Sequence, residues 1–219
     1  ASGRIGPQAT VGPLTGGVSS AIGLVDPGRP GEERWVAKAA RGRLDVPDEW
    51  IADTARSRRE ALALGLLEGR LGPVRVPRLL FVEGEPPVLG MEWIGPPAAN
   101  WKQQLLAGTV EPGVAAALGR AMAVLHRTPA PPGLTGPAAM EGFEVLRTTP
   151  YYRTVAARRP EYAERMAALI ADLEAAAGQG VVHGDFSPKN VLVGPGGPIL
   201  LDFEVAHAGD PAFDLGMLG

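Results

Sequence analysis

Eight residues, HGDFSPKN at 183–190, place a histidine, an aspartate, a lysine and an asparagine within one short stretch. Apolar residues flank the stretch on both sides, and its proline opposes helix formation, so we interpret it as a loop between two short strands. A second acidic stretch, LDFE at 201–204, ends the next apolar run. Carboxylates of this kind can orient and deprotonate a hydroxyl group, and their hard oxygen atoms suit Mg²⁺.

Short apolar runs and glycine turns predict the elements that position these residues. Residues 10–25 have the pattern strand, glycine turn, strand, and residues 34–38 form another short strand. Residues 48–70 carry apolar side chains at near-helical spacing. The pattern predicts a small sheet-and-helix lobe that ends near Trp93, followed by a mainly helical region. Further strands are predicted at 78–82, 88–92, 181–182, 191–193 and 199–201, and further helices at 114–126 and 160–177.

The composition limits the classes of function. With 219 residues, 45% of them hydrophobic, the chain can form a packed core in one large domain or two small lobes. The net charge of −3 gives no reason to expect a nucleic-acid partner, and the lack of cysteine excludes disulfides and thiolate metal sites. No apolar run approaches the roughly 20 residues of a membrane helix. We therefore expect a cytoplasmic protein without a membrane or nucleic-acid partner.

The two acidic stretches resemble motifs of kinases. HGDFSPKN is similar to the catalytic-loop form His-x-Asp followed five positions later by Asn, and LDFE stands in place of Asp-Phe-Gly. Together with GDPAFDLG at 209–216, they make the chain similar to the aminoglycoside phosphotransferase and choline kinase-like family, from about residue 10 to the last residue. The resemblance implies a two-lobed, protein-kinase-like α+β fold, with a nucleotide-binding lobe at 1–92 and a catalytic lobe at 93–219.

The same resemblance implies a reaction. ATP and Mg²⁺ would lie between the lobes, and the γ-phosphoryl group would pass to a hydroxyl of a small molecule. Asp185 would orient the acceptor hydroxyl, Asn190 and Asp202 would hold the Mg²⁺, and Glu204 would add a further carboxylate to the metal site. Relatives phosphorylate aminoglycosides, methylthioribose, choline and homoserine, and the sequence does not choose among these acceptors.

Other polar residues of the same region receive structural roles. His183 is expected to brace the loop through hydrogen bonds, and His126 to cap or pack against a helix end. Asp214 resembles the family's buried acid that hydrogen-bonds the catalytic-loop backbone. No phosphate role transfers to Lys189, because the lysine of protein kinases lies two positions after the aspartate.

The N-terminal lobe contains residues in the order that the same mechanism requires. A glycine turn could lay backbone N–H groups and two hydroxyls over phosphates. Lys38, on the following strand, stands where the family has the lysine that contacts the α- and β-phosphates. Glu60 resembles its acidic partner, with Glu49 and Glu68 as alternatives. The glycine turn is Gly16-Gly17-Val18-Ser19-Ser20.

The strand that ends the N-terminal lobe leads into the expected hinge. Met91, Glu92 and Trp93 fall where the family recognises the edge of adenine through the backbone. An apolar strand end would have the same side chains, so these three residues are nucleotide-binding candidates by position.

Two other classes of function remain open. One is a catalytically weak nucleotide-binding module, because the chain ends at Gly219, where the family continues through further helices. The other is a metal-dependent phosphoester hydrolase that uses His183, Asp185, Asp202 and His207. The hydrolase leaves the glycine turn and the strand lysine without a role.

The end of the chain also leads to an expectation about assembly. Helices that the family packs beside 114–126 and 160–177 would be missing, and some apolar surface would be uncovered. We therefore expect self-association, possible homo-oligomers, an open acceptor pocket and low turnover.

Overall fold

The computed structural model describes residues 3–14, 17–47, 49–176, 178 and 180–218. The predicted positions Gly16, Asp48 and Ala177 lie outside these residues. The N-terminal part is a sheet whose strands are β1 (Thr10–Pro13), β2 (Ser20–Asp26), β3 (Trp35–Ala40), β4 (Leu79–Glu83) and β5 (Val88–Glu92). Their order across the sheet is β1-β2-β3-β5-β4, and neighbouring strands are antiparallel. The predicted strands of this lobe are therefore confirmed.

Helix α1 (Arg56–Leu67) is shorter than the predicted helix 48–70, and the prediction was wrong for its first residues. Residues 50–52 pair with residues 42–44 through backbone hydrogen bonds. The carboxylate of Asp53 then accepts a hydrogen bond from a backbone N–H two residues later, at 2.8 Å. Such local bonds compete with the helical pattern, so the helix starts only after them.

The rest of the chain is mainly helical, and its short strands flank the two acidic loops. The helices are α2 (Trp101–Leu106), α3 (Pro112–Leu125), α4 (Pro137–Phe143), a π-helix (Glu144–Arg153), α5 (Thr154–Arg158), a 3₁₀ turn (Pro160–Tyr162), α6 (Ala163–Ala175), a 3₁₀ turn (Pro188–Asn190) and α7 (Pro211–Leu218). The strands are β6 (Ala99–Asn100), β7 (Val181–Val182), β8 (Val191–Gly194), β9 (Gly197–Leu200) and β10 (His207–Ala208). Strands β6, β8 and β9 form one small antiparallel sheet, and β7 pairs with β10.

The two helices predicted in this region are present as α3 and α6. Helix α2 was not predicted, although Asn100 is a typical helix cap and its side chain accepts a hydrogen bond from the N–H of Gln103 at 3.3 Å. Within the described ranges, no helix is long and apolar enough to cross a membrane. The sheet ends with β5, and the division of the chain between residues 92 and 93 stays a prediction.

A continuous apolar core joins the sheet to the helical region. Leucines of α1, α3 and β5 belong to it, and Phe186 and Phe203 are fully buried in it. These two phenylalanines belong to HGDFSPKN and LDFE, so each acidic loop has one side chain in the core. A smaller cluster joins the segment after β3 to the π-helix and consists of Leu44, Ala52, Leu146 and Val205.

Candidate active site

A buried lysine connects the sheet to the second acidic loop. Lys38 on β3 has its Nζ 2.7 Å from the Glu60 carboxylate of α1 and 2.5 Å from Asp202 Oδ1. The side chains of Lys38 and Glu60 are almost completely buried, with exposed fractions of 6% and 2%. Asp202 itself has φ of 69°, a left-handed backbone that is uncommon for a residue other than glycine. Strained backbone of this kind concentrates at functional sites.

The three charges determine one another's protonation. Burial disfavours the charged form of Lys38, but the carboxylates of Asp202 and Glu60 outweigh it and raise the pKa of Lys38. Burial also opposes ionisation of Asp202, yet the charge and hydrogen bond of Lys38 lower the pKa of Asp202 to about 2. Burial raises the pKa of Glu60 to about 7, against the charge of Lys38. Lys38 and Asp202 are therefore an ion pair at neutral pH.

The backbone of the first acidic loop is held by two buried side chains. Asp214, at the start of α7, accepts hydrogen bonds from the N–H groups of His183 and Gly184, each at 2.9 Å. His183 Nε2 donates to the Leu201 carbonyl at 2.9 Å, and its Nδ1 accepts from the N–H of Asp185 at 3.1 Å. Burial lowers the pKa of His183, so the ring is neutral. These contacts agree with the bracing roles expected for both residues.

His126 completes the support of this loop. Its Nε2 lies 2.9 Å from Asp214 Oδ2, which also accepts the N–H of His183.

Gly184 has φ of 77°, and a Cβ at this position would lie 2.9 Å from the carbonyl oxygen of Val205. A side chain would therefore disturb the loop, which explains the glycine between His183 and Asp185.

Asp185 is buried and lies between two cations. Arg147 Nη2 lies 2.8 Å and Lys189 Nζ 2.9 Å from its Oδ2 atom. Arg147 also donates through Nε to the Gly184 carbonyl at 2.7 Å. The other carboxylate oxygen, Oδ1, has a long contact of 3.4 Å with the hydroxyl of Ser187. Oδ1 is thus the oxygen with more freedom to accept a further hydrogen bond.

Glu204 is held by the glycine turn and by α1. The hydroxyls of Ser19 and Ser20 donate to its two oxygens at 2.6 and 3.2 Å. Arg56 Nε lies 3.1 Å from Glu204 Oε2, and Nη2 of the same guanidinium donates to the carbonyl oxygens of Ser19 and Arg41. Both charged side chains are buried. The metal role predicted for Glu204 and the phosphate roles of the two serines stay predictions.

A cavity of about 540 Å³ lies between the sheet and the helical region. The candidates Val18, Asp185 and Glu204 line an adjoining cavity of about 270 Å³. Gly16 lies outside the described residues. Ten predicted site residues line the larger cavity: Gly17, Ser19, Ser20, Lys38, Glu60, Met91, Glu92, Trp93, Asn190 and Asp202.

The donor set of Asn190 and Asp202 fits Mg²⁺. Asn190 Nδ2 donates to the Asp185 carbonyl at 2.9 Å, which leaves its amide oxygen as the free acceptor. Both residues line the larger cavity, and Mg²⁺ in nucleotide sites is held by one or two protein oxygens together with phosphates. Among the described residues, no group of three or more His, Asp and Glu side chains could hold a metal. The four ligands of the hydrolase hypothesis therefore do not assemble.

Sequence reasoning missed two arginines of this site. Arg56 begins the short basic run Arg56-Ser57-Arg58-Arg59 and received no site role from the sequence, whereas it is fully buried beside Glu204. Arg147 lies 38 residues before Asp185 and contacts it from the π-helix, a class of helix that is frequent at functional sites. The basic run would have indicated a site residue only if Arg56 had been recognised as the first residue of a helix that is buried at this end.

Comparison with known proteins agrees with this geometry. The model of the phosphotransferase enzyme family (APH) matches residues 10–219. A comparison with curated proteins found no match. One similar structure is APH(2″)-IIa in a ternary complex with streptomycin and ATP, with 17% identity, a TM-score of 0.55, and coverage of 94% of this chain and 69% of that chain.

Two further solved structures are similar. A choline/ethanolamine kinase family protein from Mesorhizobium loti has 19% identity and a TM-score of 0.60, with coverage of 99% of this chain and 64% of that chain. A thermostable mutant of APH(4)-Ia, in a ternary complex with AMP-PNP and hygromycin B, has 16% identity and a TM-score of 0.59, with coverage of 94% and 69%. The chain thus spans about two thirds of the length of these structures.

The fold is that of the two-lobed, protein-kinase-like class, with an antiparallel sheet of five strands before a helical region. Within this class, the chain belongs to the phosphotransferase enzyme family. The expected fold class and the resemblance stated from the sequence motifs are both confirmed.

Proposed function

We propose that the protein transfers the γ-phosphoryl group of ATP to a hydroxyl of a small molecule, with Mg²⁺ as the metal. One observation carries the proposal. Lys38, Glu60 and Asp202 form a connected charge cluster in a cavity that Asn190 also lines, and Asp185 lies beside it. Phosphoryl transfer depends mainly on positioning and on neutralising phosphate charge, and this cluster supplies both.

The larger cavity suits a nucleotide. Its walls include Leu14, Ile22, Val36 and Leu192, which are apolar as an adenine ring requires. At the hinge, the carboxylate of Glu92 is held by Arg75 at 3.0 Å, and the N–H of Glu92 donates to the Arg78 carbonyl at 2.9 Å. The base would therefore be recognised by other backbone groups of the hinge. The phosphates would then extend towards Lys38.

The acidic end of the cavity would hold the metal. Asn190 and Asp202 would bind Mg²⁺, which neutralises phosphate charge when bound. Lys38 already pairs with Asp202 and Glu60, and its Nζ would bind the phosphates from the sheet side. The proposed role of Glu204 is to hold the glycine turn near this end, since Ser19, Ser20 and Arg56 all contact it.

Asp185 would orient the acceptor. Its Oδ1 would accept the hydrogen bond of the acceptor hydroxyl and take the proton as the new P–O bond forms and the bond to ADP breaks. Arg147 and Lys189 hold the other oxygen and fix the direction of the carboxylate. A loose transition state needs little basicity from this group, so its placement matters more than its proton affinity.

A second candidate function is nucleotide binding with weak transfer. It is supported by the two cations at Asp185 Oδ2, because they occupy one of the two carboxylate oxygens that could contact an acceptor. The two candidates predict the same binding of ATP. They differ in whether a phosphorylated product is formed.

Thermal unfolding with and without Mg-ATP tests nucleotide binding. A ligand that is selective for the folded state stabilises it by about 2.7 kcal/mol when present at about 100 times its Kd. Lys38→Met should lose most of this stabilisation, because the buried lysine is the proposed phosphate contact. Lys102→Met, at an exposed lysine of α2, is the matched control and should retain it. A wild-type protein that is not stabilised by millimolar Mg-ATP would contradict the proposal.

A further inference from the structure

The cavity of about 270 Å³ beside the nucleotide cavity is formed by both lobes. It shares Gly17, Ser19, Lys189 and Asp202 with the larger cavity, and Asp185 lines it. A molecule in the smaller cavity would therefore touch Asp185 and face the end of the larger cavity that holds Lys38 and Asp202. This is the position that the acceptor would occupy under the proposed function.

Much of the wall of the smaller cavity is apolar. One side comes from the segment between β3 and α1, and the other side comes from the π-helix. The residues of the first side are Leu44, Val46 and Trp50, and those of the second are Leu146, Pro150 and Tyr151.

This apolar wall is built into the fold. Trp50 Nε1 donates to the Val145 carbonyl of the π-helix at 3.2 Å, which fixes the indole ring between the two sides. The N–H of Asp45 donates to the carbonyl of Val18 at 2.9 Å, which joins the same segment to the glycine turn. One hydrogen bond therefore holds the Trp50 side chain of the wall, and another joins the backbone of its segment to the glycine turn.

The charges that line the cavity are paired within the protein. Asp185 pairs with Arg147 and Lys189, Asp202 with Lys38, and Glu204 with Arg56. Among the described residues of the lining, each carboxylate thus has a cationic partner. An acceptor that carries an ammonium group would meet two cations, Arg147 and the half-exposed Lys189. The carboxylate oxygen with room for a further hydrogen bond, Asp185 Oδ1, is already assigned to the acceptor hydroxyl.

We infer that the acceptor of this protein is a small hydroxyl compound with an apolar or ring face and no positive charge. The inference rests on the proposed function, because it assigns the smaller cavity to the acceptor. The hydroxyl would reach Asp185 Oδ1, and the ring would pack against Trp50 and Leu146. The same cations disfavour the binding of polycationic amino sugars.

Ligand-observed NMR on the protein with Mg-AMP-PNP tests the inference with matched pairs of compounds. Suitable pairs are cyclohexanediol with aminocyclohexanol, and phenyl glucoside with phenyl glucosaminide, because each pair differs by one ammonium group. Val46→Arg places a charge in the apolar wall and should block the cavity. Val110→Arg is the control, since Val110 is 69% exposed and lies outside both cavities. Tyr151→Arg serves as a second blocking variant, because Tyr151 is already 44% exposed.

The neutral members should bind, and the blocking variants should abolish this binding while the control keeps it. The ammonium members should bind at least about tenfold more weakly at the same cavity. The inference would be overturned if the ammonium members bound as tightly as the neutral members or more tightly. It would also be overturned if the blocking variants bound the neutral members as well as the wild type does, or if the wild type bound none of them. The titrations are repeated without AMP-PNP to test binding of the compounds independently of the nucleotide. If AMP-PNP itself does not bind, that result counts against the proposed function and not against the inferred preference for neutral compounds.

Discussion

Replacement of Arg147 by methionine removes the guanidinium that lies 2.8 Å from Asp185 Oδ2. Methionine keeps much of the apolar length of the side chain, but it leaves the carboxylate of Asp185 and the carbonyl of Gly184 without this donor. Lys189 then remains as a cationic partner, and its side chain is 51% exposed. We therefore expect this substitution to lower the free energy of unfolding and to leave the carboxylate of Asp185 less firmly oriented.

The magnitude follows from burial. The side chains of Arg147 and Asp185 are 9% and 2% exposed, and removal of one partner of a buried ion pair costs about 3–5 kcal/mol. Because Lys189 compensates in part, we expect a loss of about 3 kcal/mol in the free energy of unfolding. Arg153 provides a matched control in the same π-helix, since it and its partner Glu144 are 47% and 48% exposed. Arg153→Met should cost less than about 1 kcal/mol.

Urea unfolding followed by tryptophan fluorescence measures the free energy of unfolding of Arg147→Met and of Arg153→Met. Nucleotide binding should survive Arg147→Met, because Arg147 lines only the smaller of the two cavities. Phosphoryl transfer should fall by more than about tenfold, since Asp185 loses its fixed direction. Arg147→Lys keeps the charge and should recover part of the transfer rate. Equal destabilisation by the two methionine variants, or full transfer activity of Arg147→Met, would refute this reasoning.

Three further predictions concern acids of the site. Burial raises the pKa of Asp202 but Lys38 lowers it to about 2, so the pair stabilises the fold above about pH 4 and loses about 2 kcal/mol as the pH falls towards 2. Urea titrations at successive pH values should show this loss in the wild type and not in Asp202→Asn. Glu204→Gln leaves the buried charge of Arg56 unpaired and should cost about 3–5 kcal/mol, so an unchanged melting temperature would contradict the contact. Asp214→Asn replaces one of the two carboxylate oxygens that accept the N–H groups of His183 and Gly184 with an amide NH2, and calorimetry should show a loss of about 1–3 kcal/mol.

The sequence allows prediction of those parts of the site that are local in the chain. His183, Asp185 and Asn190 lie within eight residues of one another, so a single loop brings them together. The pairing of Lys38 with Glu60 was expected from the resemblance to the family, with Glu49 and Glu68 as alternatives. Both alternatives are exposed.

The remaining part of the site depends on contacts between distant segments. A basic run is usually solvated, and nothing in the composition of 56–59 indicates that Arg56 would be fully buried beside Glu204. Arg147 reaches Asp185 only because the π-helix packs against the first acidic loop. The start of α1 was misjudged for a similar reason, since helical periodicity from residue 48 is overridden by backbone pairing with residues 42–44.

The most direct test of the proposed reaction is detection of a phosphorylated product. The wild type and Asp185→Asn are incubated with Mg-ATP and a panel of small hydroxyl compounds, and products are identified by mass spectrometry while ATP affinity is measured by calorimetry. We expect a phosphorylated product from the wild type and a loss of at least about a hundredfold in Asp185→Asn, with ATP affinity changed by less than about 1 kcal/mol. The account would be contradicted if the wild type bound ATP but phosphorylated none of the compounds. It would also be contradicted if Asp185→Asn formed product at the wild-type rate.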